Sequence, residues 1–130
     1  MNLAIVLADF HKDISEEMLA HAKKAAEKNG FKVTEIVRVT GAFDVPLPLK
    51  RVLANPDVHA AVVLGAVVQG ETAHDEIVAS VCAEKVAELS LKYDKPVGYG
   101  ISGPRMSLEQ AKARAKGFSV RAVEAVARLL

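Results

Sequence analysis

The sequence predicts an α/β fold: a four-stranded parallel sheet with helices on both faces, a three-layer sandwich. Three observations predict it. Short apolar or β-branched runs recur along the chain, at residues 3–8, 32–39, 59–65 and 95–101. The longer segments between them place apolar residues on one helical face. Strand and helix signals alternate with no linker, low-complexity tract or internal repeat, which favours parallel strands joined by right-handed crossovers.

Each element has its own warrant. "LAIVLA" (3–8) suits a strand buried on both faces. Asp13 is expected to cap the helix that follows, with Glu16 as capping-box partner, and Gly30 stands where a C′ glycine ends that helix at Asn29. "KVTEIVRV" (32–39) has β-branched residues at strand spacing. Pro46 and Pro48 mark a turn or helix start, and "LKRVLAN" gives a short helix closed by Asn55 and Pro56. Residues 59–65 form the next buried strand. From Thr72 to about Lys92, the residues Ile77, Val78, Val81, Cys82, Val86 and Leu89 share a helical face. "KPVGYGI" (95–101) is the fourth strand. Ser107 caps a helix with Gln110 at N3, Gly117 is expected to interrupt it, and a last helix is expected from Ser119 to Leu130.

Composition narrows the class of function. With 130 residues, 51% of them hydrophobic, the chain is expected to form one domain, 1–130, with a core that needs no staples. Seventeen basic against sixteen acidic residues give a formal charge of +1. That balance points to neither nucleic acid nor an anionic membrane as partner. Cys82 is the only cysteine, so no internal disulfide forms, as suits a reducing compartment. The start "MNLAIVLADF" lacks a basic n-region and a cleavage site, and the longest apolar run spans only Ala60 to Val68. A cytoplasmic location is expected.

In such sheets ligands bind beyond the carboxyl ends of the strands. Those ends read "DFHKD", "TGAFDVP", "GAVVQGETAHDE" and "GISGPRMS", and the chemistry-bearing residues gather there. Gly70, Glu71 and Thr72 open a helix; they form either an anion site of free amides and a hydroxyl, or an ordinary glycine turn before an acidic first turn. His74, in that turn, is either a proton-transfer group or a solvated surface histidine. Phe10 and Phe43 follow strands, where they either stack on a flat ring or plug the sheet rim. Asp44 either accepts from ring nitrogens or caps the next helix. Cys82 reads as a core residue, and no convincing metal-ligand spacing occurs.

Assembled in order, these residues resemble the 6,7-dimethyl-8-ribityllumazine synthase family, in its archaeal branch. The resemblance rests on "GAFDVP", "LGAVVQGETAHDEIV" and "EQAKARA" and covers nearly the whole chain. It implies condensation of 5-amino-6-(D-ribitylamino)uracil with 3,4-dihydroxy-2-butanone 4-phosphate, with loss of phosphate and water and without metal or organic cofactor. It implies that Phe10 stacks on the pyrimidine. Ala42, Phe43 and Asp44 would hold the ring and its ribityl chain, and Val67 and Val68 would line the pocket. Gly70, Glu71 and Thr72 would bind phosphate, and His74 would transfer protons.

The family's site lies between subunits, so the resemblance implies that a neighbour lends Tyr99 for the ring and Arg114 for the phosphate. Arg121 falls near a family lysine. Homo-oligomers are implied: a pentamer, a decamer, or a sixty-subunit shell. The chain starts at its first strand, and "AKGFSV" lacks the Gly-x-Lys-x-Gly of shell formers, which favours the smaller assemblies. From the residues alone, the fold is a small flavodoxin-like one binding a planar, phosphorylated ligand. A non-catalytic flavin-binding module, a self-assembling scaffold and an archaeal-type riboflavin synthase remain alternatives.

Overall fold

The structure, a computed structural model, describes residues 1–130. In chain order it contains β1 (Asn2–Ala8), α1 (Lys12–Lys28), β2 (Lys32–Val39), a 3-10 turn (Ala42–Asp44), α2 (Pro46–Ala54), β3 (Ala60–Ala66), α3 (His74–Tyr93), β4 (Val97–Ser102) and α4 (Leu108–Leu129). All neighbouring strands are parallel, in the order β2-β1-β3-β4. The fold is a flavodoxin-like three-layer sandwich. No helix is long and apolar enough to cross a membrane.

The strand alternation builds two cores. Leu3, Ile5 and Leu7 of β1 face α1 and α4, where they meet Met18, Leu19, Val123 and Val126. Ala4, Val6 and Ala8 face α2 and α3, where they meet Leu49, Leu53, Cys82 and Val86. β1 and β3 are thus covered on both faces, which is why their sequences are continuously apolar. Burying each leucine or isoleucine stabilises the fold by roughly 1.5–3 kcal/mol. α4 lies directly on β4: a Cβ at Gly98 would sit 2.2 Å from the Ala122 carbonyl oxygen.

Several local expectations hold. Ser107 and Gln110 form a reciprocal capping box, with Gln110 N–H donating to Ser107 Oγ at 3.1 Å and Ser107 N–H to Gln110 Oε1 at 2.9 Å. Gly30 takes φ +80° just beyond α1, Pro46 is the first residue of α2, and Asn55 caps α2.

Others are corrected. Asp13 does not cap α1; His11 occupies that position with no side-chain cap, and Glu16 pairs with Arg38 on β2 instead. That pairing, a side-chain hydrogen bond first and Coulomb attraction second, lowers the Glu16 pKa and raises that of Arg38. The tertiary partner has outcompeted the local capping box. Gly117 does not interrupt α4, which runs through it for 22 residues. Ala111, Ala115, Ala122 and Val126 form a buried seam along that helix, and the seam outweighs the ~1 kcal/mol that an interior glycine costs. Ser119 therefore lies mid-helix, its hydroxyl donating to the Ala115 carbonyl at 2.8 Å.

α3 begins at His74 rather than Thr72, and β4 at Val97 rather than Lys95. Lys95 is diverted to the end of α2, where Nζ donates to the carbonyls of Leu53 (2.7 Å) and Asn55 (2.9 Å).

Candidate active site

Because β1 runs to β2 on one side and β3 lies on its other side, the chain diverges at the carboxyl end of β1, where such sheets open a crevice. A cleft of about 550 Å³ lies there. Three segments wall it: Phe10 and His11 after β1, Thr40 to Asp44 after β2, and Ala66 to Val78 after β3. It brings together Phe10, Ala42, Phe43, Asp44, Val67, Val68, Gly70, Thr72 and His74 from the sequence reading. These residues span 65 positions of sequence and meet only because all three strands end at one edge.

Glu71 is exposed and does not line the cleft. Tyr99 sits mid-strand in β4, half-buried against the α2/α3 core, with its ring outside the cleft. Arg114 and Arg121 are exposed on α4, seven positions apart on one unbroken helix. The Arg121 guanidinium lies 5.5 Å from the Phe118 ring centroid. Within one chain these three residues lie away from the cleft.

The local geometry follows from chain turns. Asp9 N–H donates to the Val39 carbonyl at 2.9 Å, extending the β1–β2 ladder to the cleft floor. Phe10 then emerges into solvent, 69% exposed, with its ring 5.0 Å from the His11 ring in an edge-to-face pose. Phe43 is 60% exposed in the 3-10 turn. Asp44 Oδ2 accepts from the Gly41 amide at 3.1 Å, so Asp44 closes its own turn with one oxygen and leaves the other without a partner in the chain. Thr72 Oγ1 accepts from the His74 amide at 3.4 Å, leaving the hydroxyl hydrogen available. The helix start therefore offers free amides and a hydroxyl donor beside an imidazole. That combination suits an anion that leaves as a proton moves.

No lysine or arginine lines the cleft. Three ionisable or polar wall residues were missed by the sequence reading as site members: His11, Thr40 and Asp75, along with Gly41, Ala66 and Val78. Their adjacency to Phe10, Ala42 and His74 was the available signal.

Cys82 is buried among core residues, as expected, and burial pushes its thiol up to about 11. Burial also raises the Tyr99 phenol, with further upward contributions from Cys82. Neither group is set up as a nucleophile. No three His, Cys, Asp or Glu side chains are placed so that they could hold a metal ion.

Fold and cleft define a class: an α/β domain with an open cleft beyond the carboxyl ends of its strands and a helix start at the cleft wall. Comparison with known proteins narrows it. The model of the 6,7-dimethyl-8-ribityllumazine synthase family matches residues 1–130, and the chain belongs to that family. It is similar to the 6,7-dimethyl-8-ribityllumazine synthases of Methanocaldococcus jannaschii (45% identical, covering 100% of this chain and 92% of the relative) and Archaeoglobus fulgidus (45%, 100% and 90%). The Methanobrevibacter smithii protein of the same name is 42% identical, covering 98% and 92%.

Proposed function

We propose that this cleft condenses 5-amino-6-(D-ribitylamino)uracil with 3,4-dihydroxy-2-butanone 4-phosphate to 6,7-dimethyl-8-ribityllumazine. Family membership makes the chain a lumazine synthase, a transferase of riboflavin biosynthesis. The whole chain acts as one domain. The ring amine attacks the butanone carbonyl and water leaves as the imine forms. Phosphate is then eliminated, the second amine closes the ring, and a second water departs.

The observation that carries the reading is convergence. An exposed aromatic after β1, an aromatic–carboxylate turn after β2, and an amide-rich helix start with a histidine after β3 all face one cleft. Phe10 stacks on the pyrimidine. Phe43, Asp44 and the small Ala42 hold its edge and ribityl chain, and Val67 and Val68 form the apolar floor. Gly70 and Thr72, with the backbone amide of Glu71 rather than its side chain, take the phosphate, and His74 moves protons during imine formation and phosphate loss. Holding both substrates together supplies much of the acceleration.

The cleft needs a cation for the phosphate and has none of its own. A second copy of the chain, in a pentamer or a decamer, supplies Arg114, with Arg121 on the same helix, and adds Tyr99 to the ring pocket. The enzyme works in the cytoplasm on small molecules, without metal or cofactor. Mixing the two substrates with purified protein and following lumazine absorbance tests the reaction. No lumazine above the uncatalysed rate would reject it. Sedimentation in the same buffer tests the assembly, and a monomer with full activity would reject the shared site.

A further inference from the structure

We infer that Asp75 is a positioning residue: it fastens the first turn of α3 to the turn after β4 and thereby sets where His74 stands. This rests on the reading of His74 as the proton-transfer group. The helix start needs such a fastening. Its N-cap is Ala73, whose side chain accepts nothing, and the Thr72 hydroxyl reaches the His74 amide only at 3.4 Å. A helix end without a good cap is held by whatever else grips its first turn.

The turn at residues 102–106 supplies that grip. Val67 N–H donates to the Ser102 carbonyl and Gln69 N–H to the Met106 carbonyl, both at 2.8 Å, carrying the β3–β4 pairing beyond the strands. The Arg105 amide then donates to Asp75 Oδ2 at 3.0 Å, and Arg105 Nε donates to Glu76 Oε1 at 2.8 Å. Four bonds thus stitch segment 67–76 to this turn.

The approach is close. Gly103 stands at φ +111°, and a Cβ there would lie 2.6 Å from the Val67 carbonyl oxygen. Arg105 takes φ +59°, a region uncommon for a residue with a side chain, and its amide is the one that meets Asp75.

Asp75 is only 5% exposed, whereas Glu76 and Arg105 pair in solvent. The part-buried bond is therefore the one that defines the geometry, and the exposed pair adds little. Successive helical residues are about 100° apart around the axis. Anchoring Asp75 consequently fixes the rotation of the first turn and the direction in which His74 leaves it. Asp75 also lines the cleft, so a direct action of its charge on substrate is the rival that the test must separate.

The test combines steady-state kinetics with amide hydrogen exchange on the assembled protein, for Asp75→Ala, Asp75→Asn and the shape-conserving Asp75→Leu. Misplacement of a reacting group costs on the order of ten- to a hundredfold, so Asp75→Ala is expected to lower kcat by about tenfold with both KM values little changed. Asp75→Asn keeps an oxygen acceptor and is expected to restore most of that rate. In a His74→Ala background, Asp75→Ala is expected to cost nothing further, because residues acting through one group are not additive. Exchange at the amides of Arg105 and of residues 74–77 is expected to quicken in the Ala and Leu variants but not in Asn.

If Asp75→Ala does not fold, Asp75→Leu takes its place. Unchanged kcat and exchange in Asp75→Ala would overturn the inference. So would an equal loss in Asp75→Asn, which would mark a charge acting on substrate, or an undiminished loss without His74. If the wild type forms no lumazine, the functional reading fails, and exchange alone still decides whether Asp75 is the clamp.

Discussion

The two ends of the sheet carry similar residues and treat them in opposite ways. At the amino end, His59 Nδ1 accepts the Asn2 amide at 2.9 Å, Asn2 Nδ2 donates to the Asp57 carbonyl at 2.9 Å, and Lys95 closes the end of α2. These polar groups are spent on the fold. At the carboxyl end, the imidazole of His74 has no partner in the chain, the Thr72 hydroxyl keeps its hydrogen free, and two phenylalanine rings stand in solvent. An edge that satisfies itself is scaffold. An edge that leaves an imidazole, amides and aromatic faces uncommitted holds its interactions for a ligand.

Glycines break this comparison most sharply. Gly98, in β4, is packed so tightly that an added methyl would meet backbone atoms of Ala122 at 2.2 and 2.8 Å. Those atoms cannot move unless α4 lifts, so Gly98→Ala is expected to cost about 3 kcal/mol or more. Gly70, at the cleft, has nothing within 4 Å of such a methyl, and Gly70→Ala is expected to melt like the wild type. Thermal unfolding of the two variants decides it, and equal losses would erase the distinction between the edges.

The paired histidines come next. His74→Ala is expected to lower kcat about tenfold, below the roughly 10²–10⁴-fold that acid–base groups typically contribute, because alignment of two reactive substrates does much of the work. Both KM values and the melting temperature are expected to hold. His59→Ala is expected to do the reverse, keeping kcat and losing about 1 kcal/mol of stability with its hydrogen bond. Kinetics and urea unfolding on both variants would show whether chemistry and scaffold divide as the two edges do.

Arg114→Ala tests the cation the cleft lacks. A charge-assisted pair is worth roughly 1.5–3 kcal/mol, so the apparent affinity for the butanone phosphate is expected to drop about tenfold or more while the pyrimidine binds as before. Titration with each substrate separately measures this. Equal weakening of both would reject the assignment of Arg114 to phosphate.

Between the edges, the core has its own signature in pH. The Cys82 thiol is raised by burial from 9.0 to about 11. The unfolded chain releases this proton first, so from pH 9 toward 11 the folded state binds more protons and stability falls, by at most ~1.4 kcal/mol per pH unit. Below pH 9 the contribution is complete. The urea midpoint is expected to drop between pH 9 and 11 and to drop less in Cys82→Ala.

How much of this was legible depended on whether the signal was local. The buried strands showed because β1 and β3 need apolar residues on both faces. The rim residues Phe10, Phe43 and His74 showed because polar or aromatic chemistry just after such strands is conspicuous. Glu16 was misread as a capping partner because Arg38 is 22 positions away, and Gly117 was misread as a break because the residues against which the α4 seam packs, such as Leu3, Ile5 and Val62, lie on distant strands. In the sequence Asp75 is one acid among several in the turn around His74. Its bond comes from Arg105, 30 positions on, and nothing in the local sequence announces it.

Phe10 gives the smallest effect and the finest test of the comparison. The residue is 69% exposed, and its ring meets His11 edge-on rather than filling the core. A plug at the sheet rim would be buried by its neighbours, and cutting it back would lower the melting temperature. A stacking platform is left open, and its removal is felt only when a ring is bound. Aromatic pairs contribute about 0.5–1.5 kcal/mol beyond the area they bury. Phe10→Ala is therefore expected to weaken the pyrimidine roughly three- to tenfold by the same figure, with the butanone phosphate and the melting curve unchanged. Phe10→Tyr keeps the flat face and should keep the affinity. A binding isotherm for the pyrimidine set beside a melting curve separates the two roles. Lost stability with intact affinity would move Phe10 from the binding edge to the scaffold.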